Sequence, residues 1–350
     1  MGALARLHER EQIELALFGG AAKHGGADFV GELPFPHRCV RPRELFALAA
    51  SGRYRAVVCP TGGRLAPLAS WAGARRGGVP LILWASLWAH PRSAAHALSY
   101  LPLLALYRSA DAVVTYGPHV SAYVSARGAR NVHVAPQSVD NEFWRSPQVS
   151  PPTDPRWPAD AQSRFLFVGR TAAEKGIPVL LDAWRAAGLS PATAALVLAG
   201  VESSSELLHG HHQHGGSAIL CVGQLAPTQL RDAYAASDVL VVPSIPTRTF
   251  REPWGLVVNE AMNQGVAIIA TDAVGAAAGG LVREGENGLI VPAGDSGRLA
   301  EAIGVLAGDQ QLRGQMGSIG AADVLAFDHD AWAQGFSRAL SSLSVSRTHW

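Results

Sequence analysis

Residues 164–188, RFLFVGRTAAEKGIPVLLDAWRAAG, hold the pattern that decides the fold. They open with the apolar run FLFV, which is typical of a buried strand. After a polar loop, apolar residues recur every three or four positions, as in a helix that buries one face. A strand, a loop and a packed helix form the repeating unit of a parallel α/β sheet, so the stretch predicts the start of a doubly wound domain.

The same alternation recurs along the chain and predicts the α/β class. Apolar runs predict strands at 13–18, 54–60, 79–84, 110–116, 131–136, 164–169, 194–200, 218–223, 238–244, 266–271 and 288–293. Helical patterns lie at 41–52, 65–78, 176–188, 226–237, about 255–263 and from 295 onward. Residues 146–163 carry five prolines and no periodicity, which is typical of a linker. We therefore expect two Rossmann-like domains that face each other across a cleft.

Composition excludes several classes of protein. The 350 residues are 48% hydrophobic and 16% charged, which indicates a folded chain and not a disordered one. Three widely spaced cysteines exclude a disulfide framework and favour a reducing, cytoplasmic compartment. The first fifteen residues lack the apolar region of a signal peptide. The longest apolar run, 79–89, is about half of a membrane span, so we expect no transmembrane helix.

Charge is distributed unevenly between the halves. Residues 1–150 carry 16 Lys and Arg against 9 Asp and Glu, a net +7, whereas residues 151–350 carry 13 against 19, a net −6. A basic first half favours peripheral contact with an anionic phospholipid surface, at the inner face of the membrane, or with a phosphate-bearing acceptor. Unevenly placed, solvated arginines are the alternative. We expect no nucleic-acid partner.

Two acids and a glycine in 251–265, REPWGLVVNEAMNQG, suggest a binding site. Glu252 precedes a predicted helix start near Gly255 and Leu256, and Glu260 lies inside that helix. Free N–H groups at a helix start bind anions. A phosphate site between two carboxylates suits a nucleotide diphosphate sugar, which has hydroxyls on both sides of its phosphates. A capping acid and a solvated helix glutamate are the alternative.

Two cations follow the strand at 164–169. Arg170 and Lys175 stand at the expected mouth of the sheet, where both can hold a diphosphate and stabilise it as it leaves. Solvated cations at a strand end are the alternative.

The two motifs in this order resemble the retaining glycosyltransferases of family 4, also called glycosyltransferase group 1, which have the GT-B fold. The pattern G-R-x(n)-K-G followed by E-x7-E appears as GRTAAEKG and EPWGLVVNE. SDVLVVPS, EAMNQGVAIIAT and LVREGENGLIVPAGD also fit, and the resemblance covers about residues 110–345.

The resemblance implies roles for particular residues. Arg170 and Lys175 match the cations that bind the donor diphosphate and stabilise the leaving group. Gly169 belongs to the same donor-binding segment. The amides of Gly255 and Leu256 match those that meet the phosphates.

The remaining roles concern the two sugars of the donor. Glu252 matches the acid near the transferred sugar, and Glu260 matches the acid that binds the ribose hydroxyls. His90 matches the first-domain histidine that borders the sugar site, with a satisfied or surface histidine as the alternative.

The implied activity is that of a hexosyltransferase. A hexose moves from the nucleotide diphosphate sugar to a hydroxyl of a carbohydrate or lipid-linked acceptor, with retention, in polysaccharide, glycolipid or other glycoconjugate synthesis. The two cations replace a metal, so no metal or cofactor is expected beyond the donor. Residues 1–150 would form the acceptor-side domain, 151–163 the linker and 164–325 the donor domain, with a helix in 326–350 packing back on the first domain.

Some features depart from the family. MGALARLHER, at the start of the sequence, is similar to the tail of the family's first helix, so the first strand of the N-terminal domain is expected to be missing. This leaves open a non-catalytic or truncated GT-B partner protein, while a GT-B sugar-nucleotide epimerase is a third class. Four intact charged positions favour the transferase. The histidines of 209–214 form either a metal site or a solvated loop.

Overall fold

The computed structural model of the protein describes residues 2–18, 33–63, 65–148, 156–202 and 218–346, together with 152, 154 and 204. The chain divides into two compact units, Met1–Gln137 with Asp328–Trp350, and Ser138–Phe327. It therefore passes from the first unit into the second and returns to the first for its last described helix.

The described part of the first unit contains two parallel sheets. Its strands are β1 (Leu15–Phe18), β2 (His37–Val40), β3 (Val57–Pro60), β4 (Leu81–Ala85), β5 (Ala112–Thr115) and β6 (Val132–Val134). Its helices before the second unit are α1 (Gly2–Glu11), α2 (Pro42–Ala50), α3 (Leu65–Gly77), α4 (Ala94–Ser109) and α5 (Pro118–Ser125). Strands β1 and β2 pair with each other, and β3, β4, β5 and β6 form the second sheet in that order. The single sheet expected for this half is thus divided in two.

Strand β4 shows why the larger sheet is covered on both faces. Leu81 and Leu83 point into a core shared with Tyr107 of α4. Ile82 points the other way, into a core shared with Val114 of β5. Alternate side chains of a strand lie on opposite faces, so an apolar run on β4 requires helices on each side.

The second unit holds one six-stranded parallel sheet in the order β12-β11-β10-β7-β8-β9. These strands are β7 (Ser163–Val168), β8 (Ala194–Ala199), β9 (Ala218–Gly223), β10 (Val239–Val242), β11 (Ala267–Thr271) and β12 (Gly288–Val291). Its helices are α6 (Asn141–Arg145), α7 (Ile177–Ala187), α8 (Pro227–Ala235), α9 (Leu256–Asn263), α10 (Gly275–Ala278), α11 (Ser296–Gly308) and α12 (Gln310–Asp323).

Helix α7 confirms the pattern that the sequence shows at 176–188. Its residues Ile177, Leu180, Leu181 and Trp184 are buried, at the three- and four-residue spacing of one helix face. The Trp184 ring packs edge-on against Phe165 of β7, with ring centroids 5.3 Å apart. The helix is therefore fixed on the sheet by its apolar stripe.

All of the predicted strands are present, and β2 was not predicted. In the sequence HRCV only Val40 is buried, so the segment lacks the apolar run that marks the other strands. The backbone pairing of β2 with β1, and not its side-chain pattern, identifies this segment as a strand.

Helix α13 (His329–Ser346) packs on the larger sheet of the first unit. Trp332 and Phe336 are buried against Ile82 and Val114, on the face opposite to α3 and α4. Gly335 permits the close approach, because a Cβ there would lie 2.5 Å from the Cα of Ala135. The last helix thus forms part of the first unit's core.

Replacement of Phe336 by alanine tests this packing. We expect Phe336→Ala to lower the free energy of unfolding of the first unit by about 3 to 5 kcal/mol, since a buried phenyl ring is lost. Hydrogen exchange should show lower protection in β5 and β6. Gln334→Ala, at an exposed position of the same helix, is the control. Equal protection in the two variants would contradict the docking of α13.

Candidate active site

The candidate site lies at the point in the second unit's sheet where the strand order reverses. Strands β7 and β10 are neighbours, but the chain proceeds from β7 toward β8 and from β10 toward β11, on opposite sides. The loops after the two strands therefore separate, and ligands of such sheets bind in the crevice beyond the carboxyl ends at this point. The motif at 169–176 follows β7 and the motif at 252–260 follows β10, so the fold brings the two together.

The segment after β7 is pressed against the end of β10. A 3₁₀ helix, Ala173–Lys175, ends at Gly176, whose φ is +66°. A Cβ at Gly176 would lie 1.9 Å from the carbonyl oxygen of Pro243, so only glycine fits there. The Ile245 N–H donates to the carbonyl of Glu174 at 2.9 Å. This contact places Lys175 beside Glu252, the first acid of the second motif.

Lys175 and Glu252 form an ion pair. The Lys175 Nζ donates to the Glu252 Oε2 at 2.7 Å, and the side chains are 23% and 10% exposed. Charges this far from water are costly unless they are paired, so each of the two side chains stabilises the other. The cation of the first motif and the first acid of the second motif thus lie in direct contact.

Arg170 is placed differently. Its side chain is 72% exposed, and its guanidinium donates to the carboxylate of Glu174, which the sequence analysis did not single out. An exposed pair of this kind contributes little stability. The guanidinium is therefore able to exchange Glu174 for another anion.

Helix α9 begins beside Glu252. Gly255 is the residue before its first turn, with a φ of +90°, and among the described side chains none caps the helix start. Leu256 opens the helix and is partly exposed. Amide groups at such a start carry partial positive charge and suit a phosphate.

A second glycine holds the loop that carries Glu252. A Cβ at Gly275 would lie 1.9 Å from the Pro253 carbonyl oxygen. The Gly275 N–H donates to the Glu252 carbonyl at 3.1 Å, and the Ala276 N–H to the Trp254 carbonyl at 2.7 Å. Gly275 was not predicted as a site residue from the sequence, because its role depends on a contact with a distant segment.

Glu260 is held by a buried tyrosine. The Tyr234 hydroxyl donates to the Glu260 Oε2 at 2.8 Å, and Tyr234 is fully buried. Burial raises the pKa of Glu260, and the bond from Tyr234 partly opposes that rise. Burial, and then the charge of Glu260, raise the pKa of Tyr234. Tyr234 was not predicted as a site residue from the sequence, although a buried tyrosine hydroxyl usually has a partner.

The eight predicted site residues fall in both units. Seven lie around the end of β7 and the start of α9, namely Gly169, Arg170, Lys175, Glu252, Gly255, Leu256 and Glu260. His90 lies in the first unit, where its Nε2 is 3.0 Å from the His96 carbonyl oxygen and its ring packs against Tyr100. With Nε2 as donor, Nδ1 is an acceptor, and it is buried without a partner among the described residues.

The described ranges contain no group of three or more His, Cys, Asp or Glu side chains placed to hold a metal ion. The histidines of 209–214 lie outside the described residues.

The raised pKa of Glu260 predicts a pH-dependent stability. The folded protein binds this proton more tightly than the unfolded chain, so the stabilisation is complete below the ordinary pKa of 4.5 and is lost as the pH rises through the folded value. Glu260→Gln has no proton to lose, so its free energy of unfolding should increase relative to the wild type between pH 4 and pH 7. Urea unfolding at both pH values measures the difference. Glu301→Gln, at an exposed position, is the control, and an equal change in both variants would contradict the assignment.

Residues 162–309 match the protein family described as Glycosyl transferases group 1. The match includes both motifs and the contacts described above for the second unit, but not those of His90.

Known proteins with similar sequences carry related names. The phosphatidyl-myo-inositol mannosyltransferase of Mycobacterium leprae is 32% identical over 184 residues, which are 52% of this chain and 47% of that protein. The GDP-mannose-dependent alpha-mannosyltransferase of Mycobacterium tuberculosis is 29% identical over 248 residues, 68% of this chain and 61% of that protein. The chain thus spans less than two thirds of the length of either relative.

Solved structures share the fold. The sucrose-phosphate synthase of Thermosynechococcus elongatus superposes with a TM-score of 0.74 at 22% identity, over 99% of this chain and 92% of that one. An Anabaena protein solved with UDP and glucose gives 0.71 at 20% identity, over 97% and 95%. These likenesses establish the fold, which is GT-B. The matched segment, residues 162–309, holds both motifs, and this part of the chain is similar to the group 1 glycosyl transferases.

Proposed function

We propose that the protein is a hexosyltransferase, which moves a hexose from a nucleotide diphosphate sugar to an acceptor hydroxyl with retention of configuration. The observation that carries the proposal is the ion pair between Lys175 and Glu252 beside the start of α9. A cation, an acid and an anion-binding helix start are the groups that such a donor requires. Glu260, on the same helix, supplies a further acceptor for hydroxyls.

The donor would lie with its phosphates at the start of α9. The amides of Gly255 and Leu256 would meet the phosphate oxygens, with Gly169 and Arg170 on the β7 side. Lys175 has three N–H donors, so it can keep Glu252 and contact a phosphate at the same time. Glu252 would then face the hexose, and Glu260 the ribose.

The chemical step needs stabilisation of the leaving diphosphate. As the bond between C1 of the hexose and the phosphate oxygen breaks, negative charge grows on the phosphate, and the acceptor hydroxyl passes its proton to that oxygen while its own oxygen bonds to C1 on the same face. Arg170 and Lys175 are the groups placed to stabilise this charge. In this proposal the two cations take the role of a metal ion, and no further cofactor takes part.

The acceptor is a carbohydrate or a lipid-linked glycan, in polysaccharide, glycolipid or other glycoconjugate synthesis. The Mycobacterium leprae relative is named for a phosphatidyl-myo-inositol, which supports a lipid-linked acceptor. The Mycobacterium tuberculosis relative is named for GDP-mannose, whereas the Anabaena protein was solved with UDP, so the names support two different donor bases.

The place of action follows from charge. The net +7 of residues 1–150 supports peripheral contact with the inner face of a membrane from the cytoplasm. Helices of the described ranges are each too short or too polar to traverse a bilayer.

Binding of the donor is tested by thermal shift with UDP, GDP, ADP, dTDP and their sugar conjugates. One nucleotide should stabilise the wild type by about 2.7 kcal/mol at a hundredfold excess over Kd. Glu260→Ala should lose this shift, whereas Glu301→Ala, at an exposed position of α11, should keep it. A wild type that responds to none of the nucleotides would contradict the donor site.

Turnover is tested with the nucleotide so identified. Lys175→Ala and Arg170→Ala should each lower kcat by roughly 100- to 1000-fold, because each removes a charge that stabilises the leaving group. Arg298→Ala, which breaks an exposed pair with Glu301 in the same unit, should leave kcat unchanged. Nucleotide binding without turnover would favour a non-catalytic partner protein, and conversion of the donor alone would favour an epimerase.

A further inference from the structure

Two neighbouring helices of the first unit expose large apolar side chains. Leu98 and Leu101 of α4 are 82% and 71% exposed, and Leu65 and Leu68 of α3 are 60% and 40% exposed. Single exposed leucines are ordinary on a protein surface, but several on adjacent helices mark an interaction site. The helices contact each other and cover the same face of the larger sheet.

The exposed residues of α4 lie on one face of the helix. They recur at spacings of three or four residues, with Leu106 and Tyr107 buried on the opposite side. The exposed stripe consists of Ala94, Ala97, Leu98, Leu101, Pro102 and Ala105, and it ends at Arg108. A helix on the surface of a globular protein normally shows polar groups to water, so this face is built for a less polar environment.

Basic residues border the apolar stripe. Arg75 and Arg76 end α3, Arg108 ends α4, and all three are exposed. The Arg75 guanidinium donates to the Ser109 carbonyl at 3.1 Å, so the carboxyl ends of the two helices meet. Leucines thus occupy the amino-terminal and middle parts of the surface, and arginines occupy the carboxyl end.

Acidic residues are absent from this part of the sequence. Residues 45–110 contain seven arginines and neither Asp nor Glu. The partner must therefore offer both an apolar phase and negative charge.

We infer that the α3–α4 surface docks the first unit on an anionic membrane. Leu98 and Leu101 would enter the boundary between headgroups and acyl chains, while the arginines contact lipid phosphates. This inference rests on the peripheral contact proposed above and specifies the surface that makes it. It needs no turnover, so its failure is distinguishable from failure of the transferase proposal.

A second copy of the chain fits the surface less well. In a two-fold dimer the same surface faces itself. Each copy would then bring Arg75, Arg76 and Arg108 to the interface, and residues 45–110 of either copy offer no carboxylate to pair with them. Lipid phosphates supply the anions that a second copy lacks.

Vesicle sedimentation of the full chain tests the inference. At low salt the wild type should bind vesicles of phosphatidylcholine with phosphatidylglycerol, bind pure phosphatidylcholine weakly, and detach from the anionic vesicles as salt is raised. The double variant Leu98→Gln with Leu101→Gln should bind about tenfold or more weakly, because two leucines no longer enter the lipid. Arg75→Gln with Arg76→Gln should also weaken binding by about tenfold and reduce its salt dependence.

Controls separate the surface from general effects. Val305→Gln with Leu325→Gln removes two exposed apolar side chains from the second unit and should bind as the wild type does. Urea unfolding confirms that each variant is folded. Equal binding of the Leu98/Leu101 variant and the wild type would overturn the inference. Sedimentation velocity gives a second test. A wild type that is a dimer, and a Leu98/Leu101 variant that is a monomer with unchanged vesicle binding, would also overturn the inference.

Discussion

The contact between Gly176 and the carbonyl of Pro243 is the constraint on which the second unit's site depends. Strands β7 and β10 lie side by side, but their loops leave in opposite directions, so a site between them needs a segment that crosses back. Gly176 makes that crossing possible because it has no Cβ, which would clash with the carbonyl of Pro243 just after β10. Gly275 has the same function for the loop after β10. Both glycines act through backbone contacts with segments distant in sequence.

Both acids of this site have a partner within the protein. Lys175 balances Glu252, and Tyr234 provides a hydrogen bond to Glu260. A buried charge without a partner is costly, so these pairs let the protein keep two acids near a helix start that also attracts anions. Arg170 remains exposed, where exchange of its partner costs little. The arrangement combines a fixed cation with an adaptable one.

The first unit presents two contrasting faces. One face of its larger sheet is closed by α1 and α13, with Phe336 fully buried. The other is covered by helices whose own outer surface remains apolar, as the exposure of Leu98 shows. Helix α4 has apolar residues on two opposite faces. One face packs in the core, and the other forms an exposed apolar surface suited to lipid.

Local pattern was sufficient for most of the fold and for the motifs. Apolar runs located eleven of the described strands, and the helical pattern from about Gly255 located the helix start between Glu252 and Glu260. The same patterns missed β2, because HRCV buries a single residue and is recognisable only from its pairing with β1.

The tertiary structure alone decided which side chains meet. Lys175 and Glu252 are 77 residues apart, and nothing in either motif indicates that they pair with each other. The roles of Tyr234 and Gly275 likewise depend on contacts across the sheet's edge. Periodicity and spacing report what a residue does within its own helix, strand or turn. Ion pairs, buried hydroxyl partners and glycine contacts arise between elements, so they are determined only when the sheet order places those elements side by side.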